Sequence, residues 1–130
     1  MKLRSSLAFT AAVALCAGAL VPPAAQAQKG QDCFFHRDTD SFTPVDDHTI
    51  NLRVGENRYY QLELLNPCLD LDFSQSIGLR SRGSSWICTG QTNAAEIITR
   101  SAAGPQRCQV SSVRRLTPAD IAAMPRKDRP

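Results

Sequence analysis

The sequence places one of its two histidines next to a pair of carboxylates, in Asp46-Asp47-His48. An imidazole beside a carboxylate can act as a general base or bind a metal ion, so these three residues form a candidate polar cluster. Aspartates also hydrogen-bond to the backbone that follows them, which favours a turn before a β-strand. Because the strand pattern described below directs His48 inward, we expect this cluster to have a structural role.

Two further pairs of aspartates, Asp38/Asp40 and Asp70/Asp72, have the i, i+2 spacing that puts both side chains on one face of a strand. Such pairs can supply oxygen ligands to Ca²⁺ or serve as acid and base. Ca²⁺ requires about six to eight oxygens, and neither pair lies in a glycine-bearing loop of the EF-hand type. We expect exposed turn residues here and predict neither a metal site nor a cofactor.

Basic side chains concentrate in the second half of the chain. Residues 28–72 carry 4 basic and 9 acidic groups, whereas residues 73–130 carry 9 basic and 3 acidic. The two regions could complement each other when packed, or the second could present a basic patch to lipopolysaccharide, anionic lipid or an acidic partner. The formal net charge of only +3 and the 6% aromatic content do not favour nucleic acid. The candidate basic patch consists of Arg80, Arg82, Arg114 and Arg115.

A targeting segment begins the sequence. Residues 1–4 are cationic, residues 7–21 contain no charge, and residues 25–27 (Ala-Gln-Ala) have the small-x-small pattern that signal peptidase cleaves. We predict a signal peptide over residues 1–27, followed by a polar tether over residues 28–32. The mature protein would then be periplasmic or secreted, with no transmembrane segment left after cleavage.

The cysteines fit this compartment. Cys16 lies inside the predicted signal peptide, and Leu15 stands where a lipoprotein motif has a small residue, so we expect no lipid anchor. No two of the other cysteines have the C-x-x-C spacing that thiolate metal sites use, and an exported chain favours disulfides. The four cysteines expected to form two disulfides are Cys33, Cys68, Cys88 and Cys108.

The clearest structural element is a β-hairpin. Apolar and polar residues alternate through residues 48–54, the period-2 pattern of a half-buried strand. Gly55-Glu56-Asn57 suits a three-residue turn whose last position is left-handed. The register that follows puts the apolar side chains on one face. It pairs Val54 with Arg58, Leu52 with Tyr60, Ile50 with Leu62 and His48 with Leu64.

A second hairpin is predicted between residues 77–79 and 86–88, joined by the polar segment 80–85. Pairing Leu79 with Trp86 sets Ile77 opposite Cys88, so the apolar side chains again share a face. The pairing also brings Cys88 close to the segment that follows Cys68.

This second hairpin selects among the three disulfide pairings that four cysteines allow. With Cys88 near Cys68, the bonds would be Cys68–Cys88 and Cys33–Cys108, the latter tying the two ends of the fold. The alternative pairs sequence neighbours, Cys33 with Cys68 and Cys88 with Cys108.

The end of the chain contains a short helix. Thr117 is suited to be its N-cap, Pro118 its first residue and Asp120 the third residue of a capping box, and Pro125 would end it. We expect residues 126–130 to form a disordered charged tail.

The remaining segments complete a single small domain. Residues 95–99 and 108–116 suggest strands, with a Gly/Pro loop over residues 101–107 between them. The sequence therefore predicts a mainly β domain over residues 33–125, a small antiparallel barrel-like or curved sheet of five to six short strands with a short C-terminal helix, stapled by disulfides. At 130 residues and 14.2 kDa, the chain is too small for a large enzyme, a nucleotide-binding α/β domain or a multi-pass membrane protein.

Several motifs resemble those of a family of small exported bacterial proteins, largely from alphaproteobacteria and their relatives. The resemblance covers roughly residues 33–125. That family is known only as a domain of unknown function, so the resemblance implies export, a Gram-negative origin and the cysteine framework, but no catalytic or ligand-binding residue. The motifs are Cys33-Phe34-Phe35-x-Arg37-Asp38, Asp46-Asp47-x-Thr49, Val54-Gly55-x-Asn57-Arg58-Tyr59-Tyr60-x-Leu62, Ser81-Arg82-Gly83-Ser84-Ser85-Trp86-Ile87-Cys88 and Cys108-x-Val110-x-Ser112-Val113-x-x-Leu116-Thr117-Pro118.

Taken together, the residues favour a non-enzymatic binding or envelope-interaction module, whose partner would be an envelope protein or an anionic envelope surface. The alternative is a small hydrolase or metal-binding protein that uses the acidic residues with His36 or His48. A deep pocket holding His48 with Asp46 or Asp47 would favour the enzyme, and a flat or convex charged surface would favour the binding module.

Overall fold

The structure is a computed structural model that describes residues 30–130. The predicted signal peptide over residues 1–27, including Cys16, lies outside the described residues. None of the helices within residues 30–130 is long and apolar enough to cross a bilayer.

The described residues form eight β-strands and one α-helix. Six strands make a curled antiparallel sheet, a half-barrel, in the order β2-β3-β4-β8-β7-β5, and β1 pairs with β6 in a separate two-stranded ribbon. The fold is therefore mainly β, as the sequence predicts. The elements are β1 (Cys33–Phe35), β2 (Thr39–Pro44), β3 (Thr49–Val54), β4 (Arg58–Leu64), β5 (Gly78–Ser81), β6 (Trp86–Cys88), β7 (Ala95–Ser101), β8 (Gly104–Leu116) and α1 (Pro118–Ala123).

The β3–β4 hairpin has the predicted register, with Val54 opposite Arg58 and Ile50 opposite Leu62. Alternate residues of both strands are fully buried on the concave face of the sheet. In the turn, however, the left-handed residue is Gly55, with φ of 61°, and not Asn57. Glycine adopts this conformation without the steric cost that a side chain brings.

The concave face holds the core, and the β1–β6 ribbon covers it. Phe34 lies opposite Ile87 in the ribbon, and both side chains are fully buried. The Phe34 ring packs on that of Tyr60, with 4.4 Å between the ring centroids. The core also contains Ile50, Leu52, Val54, Leu62, Leu71, Ile97 and Val110.

The predicted second hairpin is wrong. β5 pairs with β7, with Leu79 opposite Ile97, and β6 pairs instead with β1. The period-2 pattern of both segments identified them as strands, but such a pattern does not specify which strand each one pairs with.

The predicted disulfide pairing fails for the same reason. The bonds are Cys33–Cys88 and Cys68–Cys108. Cys33 stands directly opposite Cys88 in the ribbon. Cys68 follows β4, which pairs with the strand that carries Cys108. Neither the Cys68–Cys88 and Cys33–Cys108 set nor the pairing of sequence neighbours is present.

The C-terminal helix is confirmed, including its capping box. The Thr117 side chain accepts a hydrogen bond from the Asp120 backbone, and the Asp120 carboxylate accepts one from the Thr117 backbone. Residues 126–130 are not a disordered tail. Asn51 donates a hydrogen bond to the Asp128 carbonyl (2.9 Å), and Thr43 donates one to the Arg129 carbonyl (3.0 Å), so the chain end lies against the convex face of the sheet.

Candidate functional site

Four arginines share the convex face at one end of the sheet. Arg80 on β5 lies opposite Glu96 on β7, and Arg107 on β8 lies opposite Ile98. Arg82 follows β5 two residues beyond Arg80, and Arg100 lies four residues beyond Glu96, so both keep the same face. We call the surface formed by Arg80, Arg82, Arg100, Arg107 and Glu96 the arginine face.

Glu96 organises this face from its centre. Its carboxylate accepts hydrogen bonds from the Arg82 guanidinium, and Arg107 Nη1 lies 3.9 Å from its second oxygen. The Glu96 side chain is only 15% exposed, whereas that of Arg107 is 65% exposed. The hydrogen bond from Arg82 and the nearby charges of Arg82, Arg107 and Arg80 hold the pKa of Glu96 below its usual value. One carboxylate therefore orients several cations. The guanidinium N–H groups that do not face Glu96 stay available to bind an anion.

The structure separates the four arginines of the predicted basic patch into two pairs. Arg80 and Arg82 belong to the arginine face, but Arg114 and Arg115 lie in the other half of β8, which pairs with β4. Arg114 donates to Gln61 (2.8 Å) and to Asp120 (3.4 Å) beside the helix cap. Arg100 and Arg107 are not among the predicted patch residues, because the predicted strand ends at residue 99 and residues 101–107 were expected to form a loop. Extending the alternation of β7 from Glu96 to Arg100 would have found the first of them.

Arg115 is engaged in a cluster that anchors the start of the domain. Its guanidinium and the Tyr60 hydroxyl donate hydrogen bonds to the two oxygens of Asp32, the latter over 2.9 Å. Burial raises the pKa of Asp32, but these hydrogen bonds and the Arg115 charge outweigh it and leave that pKa below its usual value. The pKa of Tyr60 is raised mainly by burial of its hydroxyl and, in addition, by its hydrogen bond to Asp32. Asp32, at the end of the predicted tether, is thus tied to two strands of the sheet.

The candidate polar cluster lies in an exposed turn before β3. The His48 backbone donates to the Asp46 carboxylate (2.8 Å), the turn role that the sequence favours. The side chains of His48 and Asp47 are 49% and 59% exposed and 4.0 Å apart. The expectation that His48 would point inward is wrong. The His48 carbonyl does accept a hydrogen bond from the Leu64 amide, as the predicted register requires. However, β3 begins only at Thr49, and the His48 side chain is exposed to solvent.

The paired aspartates are also exposed. Asp38 and Asp40 flank the start of β2, and Asp70 and Asp72 belong to the segment around the short 3-10 turn Leu71–Phe73. Asp70 adopts a left-handed conformation, with φ of 60°. Within residues 30–130, no three His, Cys, Asp or Glu side chains come together as a metal site would require.

A groove of about 580 Å³ separates α1 from the β3–β4 hairpin. Its walls are mostly apolar, with Tyr59, Leu116 and Ile121 among them, and Arg115 is the only charged residue of the lining. The groove therefore presents no acid–base pair, and the arginine face remains the surface with the most concentrated chemistry.

Comparisons with known proteins are consistent with the resemblance seen in the sequence. No curated protein and no solved structure matches the chain. One protein family does, over residues 1–130, and it is described as a family of unknown function, DUF6491. The chain belongs to this DUF6491 family.

Proposed function

We propose that this protein is an exported, non-enzymatic binding module that uses the arginine face to hold phosphate groups of anionic lipids at the cell envelope. The observation that carries the proposal is the set of four arginines on one exposed face, three of which, Arg80, Arg82 and Arg107, lie around the carboxylate of Glu96. This surface is an exposed sheet face that carries charge, and such a surface favours a binding module over an enzyme with a deep pocket.

Arginine suits this role because its planar guanidinium can donate two parallel hydrogen bonds to a phosphate. Each cation near an anionic membrane surface contributes about 1 kcal/mol of binding energy. The Arg107 side chain is more than half exposed, so it can turn from Glu96 to a ligand without unfolding any element.

Export is supported by the predicted signal peptide and by two disulfides, which persist in oxidising compartments. The intact mass of the protein recovered outside the cytoplasm should match a chain that begins at Gln28. A recovered protein that retains residues 1–27 would contradict cleavage, and a protein found only in the cytoplasm would contradict export.

Lipid binding can be measured with the oxidised protein and three kinds of particle: vesicles of phosphatidylglycerol and phosphatidylcholine, vesicles of phosphatidylcholine alone, and lipopolysaccharide. We expect binding to the first and third, and a steep loss of affinity as salt rises. Arg107→Gln should weaken binding about fivefold, the equivalent of about 1 kcal/mol.

The matched control is Arg114→Gln, which removes the same charge from the other half of β8 and should change affinity less than twofold. Thermal unfolding of both variants reports whether each is folded. Two results would contradict the proposal. One is equal affinity for vesicles with and without phosphatidylglycerol, and the other is an equal loss of affinity in Arg107→Gln and Arg114→Gln. A preference for lipopolysaccharide over phosphatidylglycerol would identify the phosphate source.

A further inference from the structure

The half-barrel has two free edges that face each other. Among the strands of residues 30–130, β2 pairs only with β3 and β5 pairs only with β7, so each stands at one end of the sheet. Between them lies a cleft of about 430 Å³, which we call the seam. The 3-10 turn His36–Asp38 lies beside β5 and closes one end of the seam. The two edges therefore bound a gap that is lined by β2 on one side and by β5 with the residues before it on the other.

The backbone groups at both edges can be assigned. Hydrogen bonds alternate along an antiparallel pair, and the Val45 amide donates to the carbonyl of Thr49, the first residue of β3. By this alternation the N–H and C=O of Phe42 point away from β3, into the seam. In the same way the Arg82 amide donates to the Ala94 carbonyl, which turns the N–H and C=O of Leu79 away from β7.

The side chains of the seam have two characters. Phe42, Ile77 and Leu79 are partly buried and pack against the core from the inner side. Thr39 Oγ1 and Ser41 Oγ are buried, and neither has a hydrogen-bond partner within residues 30–130. A buried hydroxyl without a partner is destabilising, by about 1–3 kcal/mol, until a ligand or water satisfies it.

We propose that the seam binds an extended segment of a partner polypeptide, which adds to the sheet as a seventh strand and closes the barrel. The segment would have alternating apolar side chains, because every second residue of an added strand points inward to Phe42, Ile77 and Leu79. Its backbone pairs with the outward groups of Phe42 and Leu79. Since β2 and β5 run in opposite directions, it lies antiparallel to one edge and parallel to the other.

A second copy of this chain fits the seam less well. Pro44 lacks an N–H and a bulge at Asp40 interrupts β2, so only a short stretch of that edge can pair. Antiparallel pairing of two β5 strands would bring both copies of Arg80 to one face, where like charges repel. A short extended peptide avoids both costs.

The test uses the acetylated and amidated peptide KTVTLTVK, with amide hydrogen exchange read residue by residue on the full oxidised protein. At saturation, exchange at the Phe42 and Leu79 amides should slow at least tenfold. The same peptide N-methylated at alternate residues, which removes donors on one edge, should bind about three- to tenfold more weakly.

Two variants isolate the backbone contribution. Leu79→Pro and Leu79→Ala both lose the leucine side chain, but only proline removes the N–H that faces the seam, and proline is tolerated on edge strands. Leu79→Pro should bind the peptide about three- to tenfold more weakly than Leu79→Ala. If Leu79→Pro does not fold, the N-methylated peptide still decides the question on the unaltered protein.

Three results would overturn the proposal: no binding at millimolar peptide, binding that leaves exchange at Phe42 and Leu79 unchanged, or equal binding of the methylated peptide. A dimer that forms without peptide and protects the same amides would assign the seam to a second copy instead. None of these results bears on the arginine face, which lies on the convex side of the sheet.

Discussion

Over β3, β4 and the C-terminal part of β8, the convex face of the sheet is covered by α1 and residues 126–130. Over β5, β7 and the N-terminal part of β8, the same face carries four arginines, and none of the elements described in residues 30–130 covers it. In the covered half, Asn51, Gln61 and Arg114 form a row across three strands, joined to each other and to the chain end by hydrogen bonds. In the open half, Arg82 and Arg107 share a single carboxylate, that of Glu96.

The comparison shows that residue type alone does not assign a role to an arginine. Arg114 and Arg107 belong to one strand and carry the same charge, yet the first supports a helix cap and the second projects into solvent. The difference is set by which half of the sheet the C-terminal segment covers.

The largest effect should come from the link between the halves. The Cys68–Cys108 disulfide joins the loop after β4 to β8, the strand that both halves share. Replacing both cysteines with serine should cost about 2–5 kcal/mol of unfolding free energy. Chemical denaturation followed by circular dichroism measures this loss. A change below about 0.5 kcal/mol, the level of an ordinary surface substitution, would mean that the bond does not constrain the fold.

A smaller effect tests the covered half alone. Asn51 is fully buried and bonds to both Gln61 and the Asp128 carbonyl. Asn51→Ala should cost about 1–3 kcal/mol, because it leaves buried polar groups without partners. It should also expose residues 126–130 to carboxypeptidase while leaving vesicle binding unchanged. Asn66→Ala, at an exposed loop position, is the control. Loss of vesicle binding in Asn51→Ala would show that the halves are coupled.

The smallest effect concerns the charge balance of the open half. The pKa of Glu96 lies below its usual value of 4.5 because of Arg82, and then of Arg107 and Arg80. Since the folded pKa is the lower one, the stabilisation is present above about pH 4.5 and is lost as the pH falls through the folded pKa. Carbon-13 NMR titration should show the Glu96 midpoint rising in Arg82→Gln and staying fixed in Arg114→Gln. An unchanged midpoint in Arg82→Gln would break the assignment of Glu96 as the organising group.

Local signals in the sequence predicted the local parts of the fold. The β3–β4 register follows from alternation and a short turn, and the helix start follows from Thr117, Pro118 and Asp120, all within a few residues of each other. The ribbon of β1 and β6 joins residues 55 apart in sequence, and no local pattern specifies such a pairing.

The sequence predicted only part of the arginine face, again because local patterns do not specify which distant strands pair. Arg80 and Arg82 were found as a local cluster, but their association with Arg100 and Arg107 depends on β5 pairing with β7 rather than with β6. The sequence did not predict the seam. The seam depends on β2 and β5 lying at the two ends of the sheet, and this strand order is set by long-range pairing.

The two disulfides have a consequence for how the protein is made. Cys33 bonds Cys88 and Cys68 bonds Cys108, so the two bonds cross, and each enclosed loop contains a cysteine of the other bond. A chain that emerges from its N-terminus presents Cys33 and Cys68 first, and any bond between them is a mispairing. Correct oxidation must therefore wait for the later strands or be repaired by thiol–disulfide exchange. Production of the native protein should therefore need an oxidising compartment in which oxidation either follows synthesis of the later strands or is corrected by a disulfide isomerase.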